Sequence, residues 1–362
     1  MYSKTELKSK DNGNPTNRNI TWDIAKGLGI LFVVAGHAFP GRISDFVNLF
    51  HIPLFFFVSG LVFKFKDGTG IRAFPLFFLK NLKGLWLPSV LYGSFYVLCH
   101  NLFVKIGLYK LPMYNIKSFA FSIGKHLLFL KTEPLESAFW FLTALFVGRC
   151  LLWGILWISS QANKHSLLIE IVLVSVAFVL GCFLYYVKVG LPGNLDTSFS
   201  MIPILYSGYK LKKVKLTYKV LIIPSFIILF VLMYFGTLRM SRNEMVNPAF
   251  FLLSSTAGIC MTFIISSLIE KNKMFSHIFT FLGQNTVPIL CLHLLAFRVV
   301  SYIWVYTEKL DFSSVSNHPI VGPSLKWGVF YLLAGMILPL FVPITKKLIF
   351  KRLEKRRSNL NG

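Results

Sequence analysis

The chain has 362 residues, of which 55% are hydrophobic and 16% aromatic, a composition too apolar for a soluble globular domain. We therefore expect an all-α polytopic integral membrane protein. The formal net charge of +24 does not indicate nucleic-acid binding, because the basic residues fall in short segments between apolar runs and form no basic stripe with interleaved aromatic residues.

Apolar windows of about twenty residues predict about ten transmembrane helices. They cover approximately residues 20–39, 47–64, 84–107, 138–158, 166–187, 195–211, 218–236, 248–269, 278–306 and 326–348. One membrane domain would run over residues 20–348, between a polar amino-terminal tail at residues 1–19 and a basic carboxy-terminal tail at residues 349–362. The sixth window contains Asp196, Ser198 and Ser200, so it is either a helix that lines a wet cavity or a re-entrant segment.

Lysine and arginine are unevenly distributed between these windows. If the amino terminus is cytoplasmic, about 24 of the 38 Lys and Arg residues fall on the cytoplasmic side and about 11 on the other. The positive-inside rule then predicts that both termini face the cytoplasm. Residues 71–84, with phenylalanines at helical spacing beside basic residues, would form an interfacial helix on that side. Residues 108–137 would lie outside, with an amphipathic helix near residues 119–130.

Residues 22–60 place ionisable side chains inside two otherwise apolar windows. These side chains are Asp23, Lys26, His37 and His51, and such groups are costly at membrane depth, which makes them functional candidates. Lys26 and His37 are eleven positions apart, about three helical turns, so they lie on nearly the same helix face roughly 16 Å apart along the axis. Asp23 falls on the same stripe. The pattern favours a site that is reached from both sides of a membrane.

The two histidines are candidates for acid–base chemistry. An imidazole titrates near neutrality, so His37 could act as the general base of an acyl transfer, taking a proton from a hydroxyl group. The alternative is a histidine that only hydrogen-bonds a neighbouring helix. His51 could orient an acceptor, assist His37 or make a structural hydrogen bond. Asp23 and Lys26 are three positions apart and could equally form an intrahelical ion pair.

Several motifs resemble those of one family of membrane enzymes. Lys26 is followed after ten residues by His37, which resembles the Arg/Lys-x10-His signature of acyltransferase family 3. Residues 50–60, FHIPLFFFVSG, are similar to the second span in the branch of that family related to sugar O-acetylases. Weaker similarities are the basic segment at residues 78–88, the WFL element at residues 140–142 and residues 281–293. The resemblance extends over residues 20–348.

This resemblance implies roles for further residues. Lys26 would contact the acyl donor, acetyl-coenzyme A (acetyl-CoA), and Lys80 and Lys83 would bind its phosphates from the cytoplasm. Ordinary positive-inside charge is the alternative for the last two, and lysine lacks the guanidinium fork of the arginines that many members have there. From the resemblance or from their charge at membrane depth, the residues that would bind substrate or support the site are Asp23, Ser59, Trp140, Arg149, His293 and Arg298. Ser59 could instead serve helix packing beside Gly60, and Trp140 could belong to an interfacial aromatic belt. Arg149 and Glu170 could instead form a buried ion pair between adjacent helices.

Absent motifs narrow the choice of chemistry. The sequence has no P-loop, no GxSxG elbow and no HExxH motif. Its five cysteines lie in apolar windows without CxxC spacing, so neither disulfides nor zinc are indicated.

We expect an O-acetyltransferase of a bacterial-type plasma membrane, without a tightly bound cofactor. It would move an acetyl group from acetyl-CoA to a hydroxyl of a cell-surface or lipid-linked sugar, directly or through an acyl-histidine. The rival hypothesis is a transporter or flippase of lipid-linked saccharides.

Overall fold

A computed structural model of the chain describes residues 19–65, 70–214 and 219–360. Within those ranges there is no β-strand, and Arg239 and Glu244 form one isolated bridge. The α-helices are α1 (Ile20–Ala38), α2 (Arg42–Asn48), α3 (His51–Leu61), α4 (Phe74–Asn81), α5 (Leu87–Lys105), α6 (Ile116–Leu127), α7 (Trp140–Ser160), α8 (Ser166–Tyr186), α9 (Leu195–Leu211), α10 (Ile222–Phe235), α11 (Pro248–Ile269), α12 (Lys273–Gln284), α13 (Thr286–Thr307), α14 (Leu325–Ile337) and α15 (Phe341–Leu360). The predicted all-α fold is confirmed. Nearly all of the predicted amino-terminal tail lies outside the described residues.

Eight helical segments of the described chain are long and apolar enough to cross a membrane. They are Ile20–Ala38, Arg42–Leu61, Ile71–Lys105, Trp140–Ser160, Ser166–Tyr186, Pro248–Ile269, Thr286–Thr307 and Leu325–Ile349. The sixth and seventh predicted windows correspond to shorter helices, α9 with 17 residues and the apolar segment Lys219–Phe235. The chain is thus a polytopic membrane protein, while the number of ten spans and the side of the termini stay predictions.

Three segments have other boundaries than predicted. The window at residues 278–306 is split, since α12 ends before Asn285 and α13 begins after it. The predicted interfacial helix is not separate, because α4 continues through a π-helical turn, Leu82–Trp86, into α5. The last window is interrupted by the 3₁₀ turn Leu338–Leu340, where Pro339 has no amide hydrogen to continue an α-helix. By contrast, α6 confirms the amphipathic helix predicted near residues 119–130.

Among the described residues, helix α1 packs most closely against α2, α3, α11, α12, α13 and α14. Its contact with α12 is close because glycines face each other across it. A Cβ atom on Gly27 would lie 2.2 Å from the carbonyl oxygen of Phe279, and one on Gly283 would lie 1.8 Å from that of Asp23. Only residues without a side chain allow two helix backbones to approach so closely. These glycines therefore fix where α12 crosses the stripe that carries Asp23 and Lys26.

Helices α8 and α10 present apolar side chains to the surroundings. Val176, Val179 and Ile223 are 59%, 65% and 67% exposed. In water an apolar surface of this extent would be unfavourable, whereas lipid chains solvate it. These faces therefore identify the lipid-facing side of the bundle.

The sixth predicted window, α9, is one continuous helix of 17 residues, and whether it crosses the membrane or re-enters it stays a prediction. Its buried hydroxyl groups bind neighbouring backbone. Thr197 Oγ1 donates to the carbonyl of Met240 at 2.8 Å, and Ser198 Oγ donates to that of Ala144 at 2.9 Å. The polarity of α9 thus holds it against two adjacent segments.

Candidate active site

A cavity of about 900 Å³, which we call the central cavity, lies where α1, α2 and α3 meet the segments that follow α6, α10 and α13. Its wall includes four histidines: His37, His51, His126 and His318. The cavity thus brings together the two histidines predicted as catalytic and two that the sequence did not single out. It is large enough for a ligand of drug-like or saccharide size.

His37 lies in the last turn of α1 with its side chain partly exposed to this cavity. Gly36 beside it allows α2 to approach, because a Cβ atom there would lie 3.0 Å from Val47 Cγ2. The carbonyl of Val47 in turn accepts a hydrogen bond of 2.8 Å from His51 Nδ1. A carbonyl oxygen can only accept, so Nδ1 of His51 carries the proton and a neutral His51 has its lone pair on Nε2. The turn from α1 to α3 therefore fixes the tautomer of one cavity histidine and places it near the other.

His293 on α13 packs against His37, with ring centroids 5.3 Å apart. Its Nδ1 donates to the carbonyls of Ile289 at 3.1 Å and Leu290 at 2.9 Å. Nε2 is buried and has no hydrogen-bond partner among the described residues. That lone pair can accept a proton or a hydrogen bond, so His293, predicted as a supporting residue, is placed beside the His37 ring.

Arg298, another predicted supporting residue, holds a loop at the cavity wall. Its buried guanidinium donates to the carbonyls of Val315, at 2.8 Å, and Asn317. The next residue, His318, faces the cavity with Nε2 3.1 Å from Ser137 Oγ. Partial desolvation, followed by the positive charge of Arg298, lowers the pKa of His318 to about 4. At neutral pH the His318 ring is therefore uncharged.

A second, smaller cavity of about 180 Å³ adjoins the first, and we call it the apolar passage. The two cavities share Val33, Ile52, Phe141 and Leu290. Most other lining side chains of the passage are apolar, and Lys26 lies in its wall. The passage thus connects the region of Lys26 with the region of His37, the relation that their helical spacing predicts.

A third cavity, of about 470 Å³, shares Lys26 and Val62 with the apolar passage. It also contains Lys64 and Lys212, so we call it the basic vestibule. Lys26 Nζ is 2.6 Å from Asp23 Oδ1, which is the ion pair that the sequence left as an alternative. Three cavities in succession therefore run from a cluster of lysines near the start of α1 to the histidines near its end.

The ion pair between Arg149 and Glu170, the alternative to a site role for Arg149, does not form. Arg149 Nε donates to Asn81 Oδ1 at 2.5 Å, and its Nη1 donates to Ser59 Oγ at 2.7 Å. Glu170 instead contacts Lys210 Nζ at 2.5 Å and accepts a hydrogen bond from a tyrosine hydroxyl. The pairing depends on how α3 and α7 pack, which helical periodicity does not determine. Arg149 thus ties Ser59 to the end of α4, and Ser59 itself lines the apolar passage.

Of the remaining predicted site residues, one lines a cavity and two do not. Trp140 lines the central cavity. Lys80 and Lys83 are exposed and line none of the three connected cavities, so their predicted contact with the donor stays untested. Among the described residues, no group of three or more His, Cys, Asp and Glu side chains is arranged to hold a metal ion.

Several residues that line the central cavity were not predicted as site residues from the sequence. His126 on α6 lies 3.1 Å from Glu136 Oε1 and lines the central cavity. Lys131, Arg239 and Arg242 lie in the loops around it. His126 lies in the predicted amphipathic helix, Lys131 in the predicted outer segment 108–137, and the two arginines between the windows 218–236 and 248–269. Basic residues are ordinary in such segments, so the sequence carried no signal for them, and only the packing brings them together.

Fold and site together define a polytopic all-α membrane protein with a histidine-lined cavity connected to a lysine cluster. The acyltransferase domain of acyltransferase family 3 matches residues 19–346. The chain therefore belongs to acyltransferase family 3 and is a membrane acyltransferase. No curated protein and no solved structure matches the chain. The resemblance seen in its motifs is confirmed at the level of the family.

Proposed function

We propose that the protein transfers an acetyl group from cytoplasmic acetyl-CoA to a hydroxyl of a cell-surface or lipid-linked saccharide. The observation that carries this proposal is the succession of cavities from the basic vestibule through the apolar passage to the central cavity. The narrow middle part suits an extended, largely uncharged arm, and each end suits a polar group. Coenzyme A has this distribution, with phosphates at one end, a pantetheine arm and a thioester at the other.

The lysines of the basic vestibule would bind the donor phosphates. Lys64 is exposed, Lys212 Nζ lies 4.4 Å from the ring centroid of Tyr209, and both lysines line the vestibule together with Lys26. Lysine binds phosphate as a point charge, without the bidentate geometry of arginine. The vestibule would therefore hold the phosphates by charge, while the passage positions the thioester.

In the central cavity His37 would act as the general base. It takes the proton from the acceptor hydroxyl while that oxygen attacks the carbonyl carbon of the thioester. The tetrahedral intermediate collapses when the carbon–sulfur bond breaks, and the leaving thiolate receives the proton from the imidazolium. Products are the acetyl ester and free coenzyme A. The lone pair of His293 beside the His37 ring would stabilise the proton-bearing state.

An experiment can distinguish whether His37 or His51 is the general base. Cells that lack the gene are complemented with wild-type protein, His37→Gln or His51→Gln, and the O-acetyl groups of their surface glycan are measured by mass spectrometry. Glutamine keeps hydrogen-bonding capacity but has no neutral-range pKa. We expect His37→Gln to lower acetylation by at least ~10²-fold at matched protein level.

The control is His277→Gln, because His277 is exposed on α12 and lines none of the three connected cavities. It should retain wild-type acetylation. If His37→Gln retains activity and His51→Gln loses it, the base is His51. If the deletion removes the polysaccharide itself and not its acetyl groups, the chain acts as a transporter or flippase and the proposal is wrong.

A further inference from the structure

The central cavity carries positive charge on its wall without matching negative charge. Lys131, Arg239 and Arg242 line it, and among the described residues no aspartate or glutamate does. Lys131 belongs to the loop between α6 and α7, and the arginines belong to the loop between α10 and α11. We propose that the acceptor is an anionic glycan, with a phosphate or carboxylate group bound by these three side chains. The inference rests on the proposed function, because it concerns the acceptor of the same cavity.

The acidic residues near this wall are engaged elsewhere. Glu136 contacts His126 at 3.1 Å and accepts a hydrogen bond of 2.9 Å from a backbone amide. Glu133 contacts His100 at 2.8 Å, and both of these side chains are buried. Asp196 accepts from a backbone amide at 3.4 Å. None of these carboxylates is therefore directed at the basic residues of the cavity.

The basic residues themselves are available to a ligand. Within the described part of the chain, Lys131 and Arg242 are exposed and have no ion-pair partner. Arg239 lies 3.9 Å from Glu244, at the limit of an ion pair, and the two side chains are 66% and 40% exposed. The free energy of such an exposed ion pair is small, so Glu244 neutralises Arg239 only weakly. An anion that arrives here would meet uncompensated charge, and the guanidinium groups can bind phosphate or carboxylate in a bidentate manner.

A further groove suggests that the acceptor is longer than one sugar. A cavity of about 940 Å³ adjoins the central cavity at the same loop. It shares Asn194, Arg239, Ser241 and Arg242 with the central cavity. The two arginines therefore stand between two spaces. A glycan chain can lie across them, with its anionic group at the arginines, one unit near His37 and further units in the groove.

The test measures binding without an acyl donor, so that it is independent of catalysis. The probes are a glucuronate tetrasaccharide, its carboxyl-reduced neutral counterpart and a short glycerol-phosphate oligomer. Each is titrated against the purified full-length protein in detergent at low salt and at about 0.5 M salt, where charge interactions are screened. We expect at least one anionic probe to bind about tenfold more tightly than the neutral one at low salt only. Preference for the carboxylate or the phosphate probe identifies the acceptor's anion.

The variant Lys131→Gln/Arg242→Gln should bind the anionic probe about tenfold more weakly and the neutral probe unchanged. Its matched control is Lys105→Gln/Lys117→Gln, which also removes two exposed positive charges but from residues that line neither cavity. Equal binding of anionic and neutral probes, or equal loss in both variants, would overturn the inference. If the anionic probe binds as expected but surface glycans keep all their O-acetyl groups in cells that lack the gene, the proposed function is refuted and only the anion site of the cavity stands.

Discussion

At the scale of single residues, His37 differs from the two histidines nearest to it in the site, His51 on the cavity wall and His293 behind the His37 ring. His51 and His293 each donate from Nδ1 to a carbonyl of their own chain segment, at 2.8 Å and 2.9 Å for the shorter bonds. Their hydrogen position is therefore fixed while the ring is neutral. No hydrogen bond is found for His37 within the described residues, and its ring packs on His293. Of these three histidines, His37 is thus the one with no hydrogen bond from the described residues on either ring nitrogen, which suits the general base of the proposed transfer.

The lysines allow a test of where the donor binds. Lys64→Gln/Lys212→Gln should raise the apparent KM for acetyl-CoA roughly tenfold and leave that for the acceptor unchanged, because two phosphate contacts are lost. The difference from wild type should shrink at high ionic strength. Initial rates of acetyl transfer in membranes at varied donor concentration measure both quantities.

Lys80→Gln/Lys83→Gln is the comparison, since these lysines were predicted from the resemblance but lie outside the three connected cavities. Their replacement should change the KM for the donor little. A larger increase in this variant than in the vestibule variant would place the phosphates on the α4 segment and contradict the path through the vestibule.

At the scale of helices, glycine pairs determine how the site is held. A Cβ atom on Gly60 of α3 would lie 2.1 Å from the carbonyl oxygen of Leu205, and one on Gly208 of α9 would lie 2.1 Å from that of Phe57. The two backbones are thus in direct contact one residue beyond Ser59. Any side chain here must push α3, which carries His51, away from α9.

Gly60→Ala is therefore expected to destabilise the protein by about 1–3 kcal/mol, as overpacking does. The thermal denaturation midpoint in detergent should fall accordingly. Gly154→Ala in α7 is the control, because a Cβ atom there meets nothing within 4 Å, and replacing a helical glycine in open space by alanine is neutral or stabilising. Equal midpoints for the two variants would show that α3 and α9 are not in contact at Gly60.

At the scale of the whole molecule, the connected cavities differ in chemistry between the two ends of the helix bundle. The basic vestibule lies at the end where α1 begins, and the central cavity lies near the end of α1. The excess of lysine and arginine predicts that the first of these ends faces the cytoplasm. The donor would then enter from the cytoplasm and the acceptor from outside.

A reporter enzyme that is active only outside the membrane, fused after Gly362, tests this orientation. It should be silent, because both termini are predicted to be cytoplasmic. The same reporter inserted after Lys309, in the loop between α13 and α14, should be active. Reporter activity after Gly362 together with no activity after Lys309 would show that the membrane orientation is opposite to the predicted one. A donor from the cytoplasm could then not enter through the vestibule.

The sequence by itself determined the class of protein and the helices that carry the site. Apolar windows and helical spacing are local properties, so they were sufficient for α1, for the stripe of Asp23, Lys26 and His37, and for the membership of acyltransferase family 3. What the sequence did not determine was which side chains on different helices contact each other. A pair between Arg149 and Glu170 was left as an alternative because both are charged and lie in adjacent helices, yet Arg149 donates a hydrogen bond to Ser59.

Only the tertiary structure decided which residues share a cavity. His37, His126, Arg242 and His318 are far apart in sequence and meet because α1, the loops after α6 and α10, and the loop held by Arg298 converge on one space. Close backbone approach at glycines and hydrogen bonds to backbone carbonyls set those positions. Both depend on contacts between segments distant in the chain, and no periodicity within a single segment encodes them.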